Sequence, residues 1–361
     1  MLTKEQNEAI TRTNAGTVCG ELMRRYWTPA ALAEELRPDA PLAVRIFGEE
    51  LVIAPDGRGT PYPCVVKNGI VWTYMGPGEA PPLPGLPFVA CAPEHVWVTK
   101  RFHDCNYLQA NDVDPQHLSY LHRVFDEALV RSASNQFTSR DPAPEMVIEE
   151  TAFGMRVYAS RQAGDDEQYV RITNFVLPCG QAFVGAPLVN PRETRPSDDH
   201  GFWFHWHVPI DDRTHWKYIF AYRADAPIDG AYHDASFAGE VGPGYRGVRN
   251  ATNRYRQDRA EMKRSTFAGV GSSFQDQDRL AAESQGRIVD RTLEHLGVSD
   301  RPIIEMRRLL FEAMDEVAAG HEPRGRSRDA TDNPFADLVV RSARLPRGED
   351  VRGFWKAKER A

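Results

Sequence analysis

An α+β fold, an antiparallel sheet with helices segregated toward the end of the chain, is predicted by three observations. Apolar residues recur with the period of two expected of strands around residues 42–76 and again over 146–224. The runs between 42 and 76 are separated by short turn sequences, with no room for the crossover helices of a parallel sheet. The long helical patterns come late, after residue 275.

Taken in order, Thr3-Lys4-Glu5-Gln6 has the form of a capping box and predicts a first helix. Thr17 is placed to start a second helix that runs to about Trp27. LAVRIFG (42–48) and ELVIAP (50–55) read as strands, followed by the turn material Asp56-Gly57-Arg58-Gly59. PCVVKNGIVWTYMG (63–76) predicts a hairpin, because Asn68-Gly69 is the pair preferred in a type I′ turn. The proline-rich stretch GPGEAPPLPGLP (76–87) can be neither helix nor central strand and marks a boundary. HVWVTKRF (95–102) is a further strand, and MVIEET, GMRVYAS, YVRITNFVL, FWFHWHVPI and HWKYIFAYR follow between 146 and 224. Between them QANDVDPQHLSYLHRV (109–124) reads as helical, with Asp114 as N-cap and Pro115 in the first turn. Residues 230–275 read as irregular. Helices are expected near 279–297 and 301–319, the second introduced by Ser299-Asp300 and Pro302, and the last 40 residues return to loop and short strand.

The composition excludes several classes of function. Charges of both signs are mixed along a chain of net charge −7, so the basic stripe of a nucleic-acid binder is missing. No apolar run is long enough to span a membrane, and MLTKEQNEAI lacks the apolar centre of a secretory signal. Five scattered cysteines with no C-x-x-C pair suggest reduced thiols and a cytoplasmic location.

Asp114, His117 and His122 form the pattern D-x-x-H-x-x-x-x-H. Histidines five apart lie about 140° round an ideal helix, poorer than the i, i+4 spacing of a zinc helix. The spacing alone leaves ordinary helix histidines and metal ligands both open. Two imidazoles and a carboxylate on one face of an iron leave positions for oxygen and substrate. SSFQDQDRLAAESQG (272–286) offers two carboxylates, Asp276 and Asp278, each ahead of a helix. His205 and His207 alternate on a strand and share a face, where they read as lining a substrate cavity or packing beside aromatics. Trp203, Phe204, Trp206, Trp216, Tyr218 and Phe220 read mostly as core. Arg307 and Arg308 read as solvated or paired with acidic neighbours, and His295 as a residue near a helix C-terminus.

GELMRRYWTPAALAEEL (20–36), YPCVVKNGIVWTYMGP (62–77), NDVDPQHLSYLHR (111–123), HWHVPIDDRTHW (205–216) and QDRLAAESQGRIVDRTLEHLGVSD (277–300) occur in an order that covers nearly the whole chain. In these stretches the chain resembles the α subunits of Rieske-type ring-hydroxylating oxygenases of the phthalate dioxygenase-like branch. The resemblance implies a helix-grip catalytic domain over 96–361, a curved antiparallel sheet gripping a long C-terminal helix. It implies mononuclear Fe(II) held by His117, His122 and Asp278, the last chosen over Asp276 because it lies five residues before the glutamate of ESQG. Asp114 matches the aspartate that bridges the iron site to a neighbouring subunit's cluster, and Asn111 a polar residue beside it.

One part of the family's pattern is missing. Its [2Fe–2S] cluster is held by C-x-H and C-x-x-H motifs. Here Cys91 and His95 are spaced C-x-x-x-H, and His103 precedes Cys105. Where the family inserts the cluster-binding lobe, Asp56–Pro61 joins two strands directly. Residues 1–95 are therefore expected to hold the N-terminal helices and a truncated β-rich remnant without cluster ligands. The expected function is an oxygenase that hydroxylates an aromatic ring or removes an N- or O-methyl group. NAD(P)H would supply its electrons through a reductase and a Rieske cluster on a separate chain, in a trimer-based homo- or hetero-oligomer. The alternatives are a non-catalytic structural or regulatory subunit, and a helix-grip ligand-binding protein without redox chemistry.

Overall fold

Thr3 opens the fold with a capping box, its hydroxyl accepting from the Gln6 amide at 3.1 Å and the Gln6 side chain accepting from the Thr3 amide at 2.9 Å. Helix α1 (Lys4–Thr11) follows, and α2 (Val18–Arg24) begins at its Thr17 cap. The second helix stops short of Trp27 because Thr28 already starts β1 (Thr28–Leu32). The computed structural model describes residues 1–113, 121–129, 137, 141, 143–184, 201–329 and 331–354.

Two small sheets precede the proline-rich stretch. Strands β2 (Leu42–Ile46), β3 (Glu49–Ile53) and β4 (Gly59–Thr60) form one; β1 pairs with β6 (Ile70–Thr73), which pairs with β5 (Cys64–Lys67), in the other. Asn68 (φ 50°) and Gly69 (φ 77°) both occupy the left-handed region, as a type I′ hairpin requires. A short helix, α3 (Pro87–Ala90), ends this part.

The large antiparallel sheet is built from β7 (Val96–His103), β8 (Glu145–Thr151), β9 (Gly154–Gln162), β10 (Glu167–Val176), β11 (Gly180–Phe183), β12 (Gly201–Asp211) and β13 (Thr214–Arg223). Its order is β7-β13-β12-β11-β10-β9-β8, with β14 (Ser342–Pro346) sharing with β11 one edge of β10. Alternation splits β12 into two faces. Phe202, Phe204, Trp206 and Val208 join the main core, where Trp72 meets Trp206 at 5.4 Å and Phe88 meets Phe204 at 4.8 Å between ring centroids. Tyr218 and Phe220 belong to the same core. Trp203, His205 and His207 face the other way, in register with Ala221, Ile219 and Lys217 of β13. One face of this strand pair is aromatic; the other carries ionisable groups.

Helix α4 (Tyr107–Val113) and α7 (Phe274–Glu283) pack against each other, and α4 lies against β12 and β13. Between β13 and α7 are only short helices, α5 (Gly230–Phe237) and α6 (Glu261–Arg264). The long helix α8 (Arg301–Ala318) starts after Asp300 with Pro302 in its first turn, as its sequence predicts. Its buried Met306, Leu309, Leu310, Ala313 and Met314 join the main core, and Met306 reaches the Asn111 and Gln181 side chains. The sheet thus closes on a long C-terminal helix.

One expectation needs correction. The helix expected near 279–297 begins at Phe274 under a Ser273 cap and ends at Glu283. Gly286 then takes φ 90°, a left-handed turn, and Arg291–Leu293 forms only a 3₁₀ turn. His295 therefore follows that turn as an exposed residue and is not at a helix C-terminus. The predicted Asp114 cap and Pro115 first turn lie outside the described residues; ahead of them Tyr107–Val113 forms α4. Arg307 and Arg308 both pair with acidic neighbours, as expected: Arg307, buried, donates to both oxygens of Asp112 and to Glu294, and Arg308 pairs at the surface with Glu150, Glu305 and Glu312. Among the described residues no helix is long and apolar enough to cross a membrane.

Candidate metal centre

Helix α7 is fixed at its start by Ser273, whose hydroxyl accepts from the Asp276 amide at 3.2 Å. The next turns bury Gln275, Asp276, Gln277, Asp278 and Arg279 in succession. A helix buried around so many polar side chains must find partners on every side. Asp276 finds Arg279 at 2.8 Å and Arg249 at 3.6 Å. Asp278 points elsewhere: Oδ1 stands 3.2 Å from His122 Nε2, and Oδ2 3.2 Å from Lys217 Nζ. The geometry separates the two carboxylates that the sequence alone left open.

Gln277 orients His122. Its Nε2 donates to the Gly271 carbonyl at 2.7 Å, so its Oε1 is the end that faces His122 Nδ1, at 2.5 Å. An amide oxygen can only accept, which assigns a ring proton to Nδ1; Nε2 is then a bare nitrogen in the neutral ring and a second N–H in the imidazolium. The ring also rests on Phe274, 4.6 Å between centroids. With the ring neutral, His122 Nε2 and Asp278 Oδ1 are two acceptors 3.2 Å apart in a buried site. A proton or a cation between them relieves that opposition. Two ligands at right angles on a metal, each bond about 2.1 Å, lie about 3.0 Å apart. The observed 3.2 Å edge fits a metal as well as it fits a shared proton.

The rest of the sheet face is basic and hydrogen-bonded. Gln275 Nε2 donates to His205 Nε2 at 3.4 Å, and Phe183 lies edge-on to the His205 ring at 4.6 Å. His215 Nδ1 meets the Cys105 carbonyl at 2.7 Å and must donate, so its Nε2 accepts from His207 Nδ1 at 3.4 Å. His103 stacks on His215 at 4.8 Å. Burial, followed by the nearby His215, Arg279, Lys217 and His207, holds His103 well below the ordinary imidazole range. Sequence reasoning found His205 and His207 but missed Gln277, Lys217, His103 and His215. A lysine on the inward-alternating positions of HWKYIFAYR, between His215 and Ile219, was the available signal for Lys217.

Asn111 is buried on α4, accepting from Gln181 Nε2 at 2.7 Å and directing its own amide to the Met306 sulfur at 3.4 Å. Asp114 and His117 lie outside the described residues. Among the described residues no three His, Cys, Asp or Glu side chains converge as a metal-binding group. His122 and Asp278 are the part of the expected set that the structure brings together. Cys91 and His95 are each tied to main chain, Cys91 Sγ to the Phe88 carbonyl and His95 Nδ1 to the Arg223 carbonyl at 2.8 Å.

Known proteins resemble the chain over most of its length. The family model described as LigXa C-terminal domain like matches residues 73–361. The phthalate 4,5-dioxygenase oxygenase subunit of Pseudomonas putida is 29% identical over 411 residues, covering 91% of this chain and 90% of the relative. The 5,5'-dehydrodivanillate O-demethylase oxygenase subunit of a Sphingobium species is 25% identical over 406 residues, 94% and 86% of the two chains. Both alignments are longer than this 361-residue chain, so each relative carries residues for which this chain has none. Among solved structures, the terminal oxygenase of carbazole 1,9a-dioxygenase from Nocardioides aromaticivorans superposes with a TM-score of 0.51 at 18% identity, over 86% of this chain and 96% of that one. Dicamba monooxygenase bound to dicamba gives 0.52 at 14% identity, over 82% and 98%. At these identities the structures establish a shared fold.

Proposed function

Because the chain belongs to the LigXa C-terminal domain like family, the catalytic domain of Rieske-type oxygenases, we propose that it is an oxygenase component whose ferrous iron is held by His117, His122 and Asp278. The observation that carries this reading is the buried 3.2 Å approach of His122 Nε2 to Asp278 Oδ1, with the far side of the ring held by Gln277. Bound there, iron supplies the oxygen-activating redox chemistry of a two-histidine, one-carboxylate site. The chain's own residues hold and shape it. Gln277 fixes the His122 tautomer, and buried His205 and His207 line the substrate side of the sheet. Substrate binds beside the metal, and the product is a hydroxylated aromatic ring or a substrate that has lost an N- or O-methyl group. The names of the two curated relatives, a ring dioxygenase and an O-demethylase, support both outcomes.

Electrons come from NAD(P)H by way of a reductase and a Rieske cluster on another chain. Two facts support this assignment: the sequence lacks both cluster motifs, and its relatives carry residues that it does not. Residues 1–95 are on this reading the remnant of the cluster domain, and 96–361 the iron domain. Asp114, supported by Asn111, carries electrons across the subunit boundary in a trimer-based assembly in the cytoplasm.

The test is iron and acid-labile sulfide per chain after anaerobic Fe(II) loading, on wild type and Asp278→Ala. One iron and no sulfide in wild type, with iron lost in the variant, is the expected result. Turnover with NADH and reductase should then require an added Rieske protein. Product formed without one would overturn the assignment of the cluster to a separate chain.

A further inference from the structure

We propose that Lys217 is a positioning residue that makes Asp278 a one-oxygen ligand, occupying one carboxylate oxygen and leaving the other for the metal. The inference rests on Asp278 being a metal ligand, as proposed above. Lys217 stands near the middle of β13, its side chain 1% exposed, and reaches across to α7. A buried ammonium is tolerated only with an anionic partner. The partner here is Asp278 Oδ2 at 3.2 Å, while Oδ1 faces His122 Nε2 at the same distance. The two oxygens of one carboxylate are therefore already divided, one on a fixed cation and one toward His122 Nε2. A carboxylate free of Lys217 could turn both oxygens to one metal. A carboxylate pinned by it offers only Oδ1.

The placement of Lys217 supports a built arrangement. Its neighbours in register are His207 on β12 and Arg101 on β7, so it sits in a row of basic groups across three strands. Arg101 is turned to Glu240 at 2.7 Å, and His207 to His215 at 3.4 Å. Each member of the row has a polar partner, and Asp278 stands within ion-pair distance of Lys217. Asp278 also sits next in the chain to Gln277, which orients the histidine. Successive residues of α7 thus fix the imidazole and present the carboxylate, and Lys217 sets the latter's orientation from the sheet.

Co(II) serves as the probe, because its visible absorption reports coordination number and needs no turnover. Wild type, Lys217→Met and Lys217→Arg would be titrated anaerobically and their bands recorded, with circular dichroism confirming the fold. Lys217→Met should bind Co(II) roughly 10–100-fold more weakly, the range for loss of a partner to a metal ligand. Its bands should also shift as Asp278 turns its second oxygen inward. Lys217→Arg should restore the wild-type spectrum. Unchanged affinity and bands in Lys217→Met would overturn the proposal. Should Lys217→Met not fold, wild type decides alone through its infrared difference spectrum on metal loading. A wide separation of the antisymmetric and symmetric carboxylate stretches is expected for one-oxygen binding, and the narrow separation of a chelating carboxylate would refute it. Failure of wild type to bind Co(II) at all would instead remove the metal site itself, and the proposal with it.

Discussion

Replacing Gln277 by leucine removes both ends of the clamp on His122. The imidazole Nδ1–H loses an acceptor at 2.5 Å, and the Gly271 carbonyl loses a donor at 2.7 Å. Gln277 is 1% exposed, so water does not readily replace either partner. Each such loss costs about 1–3 kcal/mol in a buried site, which places the expected drop in folding stability at about 2–6 kcal/mol. Metal affinity should fall too, because the ring is free to rotate and to carry its proton on Nε2. Loss of such a supporting partner costs about 10–100-fold in affinity, or about 1.4–2.7 kcal/mol. Gln277→Glu separates the two effects. A carboxylate still accepts from Nδ1–H but opposes the Gly271 carbonyl, so stability should fall while affinity holds. Urea melts give the first quantity and anaerobic Co(II) titration of the folded protein the second. A folded Gln277→Leu protein that binds metal like wild type would refute the tautomer argument.

Three further outcomes are expected. Asp112→Asn should destabilise by about 3–5 kcal/mol, since it withdraws the charge that holds the buried guanidinium groups of Arg291 and Arg307; a loss below about 1 kcal/mol by urea melt would show that Glu294 suffices for Arg307 and Asn7 for Arg291. His103 has its pKa depressed in the fold, so below the unfolded value of about 6.5 the unfolded chain binds the extra proton. Its contribution therefore makes stability fall with pH by up to about 1.4 kcal/mol per unit until the folded pKa is passed; His103→Phe should flatten that slope between pH 6.5 and 5, and an unchanged slope would show that the imidazole titrates normally. Burial raises the carboxyls of Glu240, Asp276 and Glu283, which act with the opposite sign. Glu240→Gln should accordingly gain stability relative to wild type as pH rises through the range between the ordinary and raised values, less whatever Arg101 loses with its partner; equal curves at every pH would mean that Arg101 cancels the burial effect.

Much of the fold was legible because its causes are local. The Thr3 capping box, the Asn68-Gly69 hairpin and the alternation of FWFHWHVPI each depend on residues within one turn or strand. The overlong helix at 279–297 shows the limit. Residues such as Ala281, Ala282 and Ile288 continue a helical pattern, but Gly286 needs a left-handed conformation and Gln109 draws the Ala282 and Gly286 carbonyls toward α4. The candidate site divides in the same way. Asp278 could be selected from a motif, but its meeting with Lys217 joins residues 61 apart, and that of His122 with Gln277 residues 155 apart. Neither pairing leaves a periodic trace. Arg307 meets the acidic neighbours expected of it, but nothing along α8 announces that Asp112 of α4 will be one of them.

The proposed loss of a cluster-binding lobe raises the question of why the remaining strands stay folded. The β3–β4 connection closes tightly, with the Ala54 amide donating to the Arg58 carbonyl and Gly57 in the left-handed region at φ 84°. A short turn in place of a long insertion is entropically cheap. The two small sheets are also anchored independently of anything that connection once carried. The amides of Phe47 and Gly48, at the β2–β3 turn, donate to the carbonyls of Pro209 and Ile210 at the end of β12. In the other sheet, Trp72 of β6 is buried between Trp206 and Phe220 of the large sheet. The packing that holds these strands lies on the aromatic face of β12 and β13, while the candidate metal centre occupies the opposite face. Removal of a lobe at the β3–β4 turn can therefore leave the core and the metal ligands in place while taking away the electron donor. On this reading the chain kept the half of the chemistry that its own sheet supports and came to depend on another protein for the half that it did not.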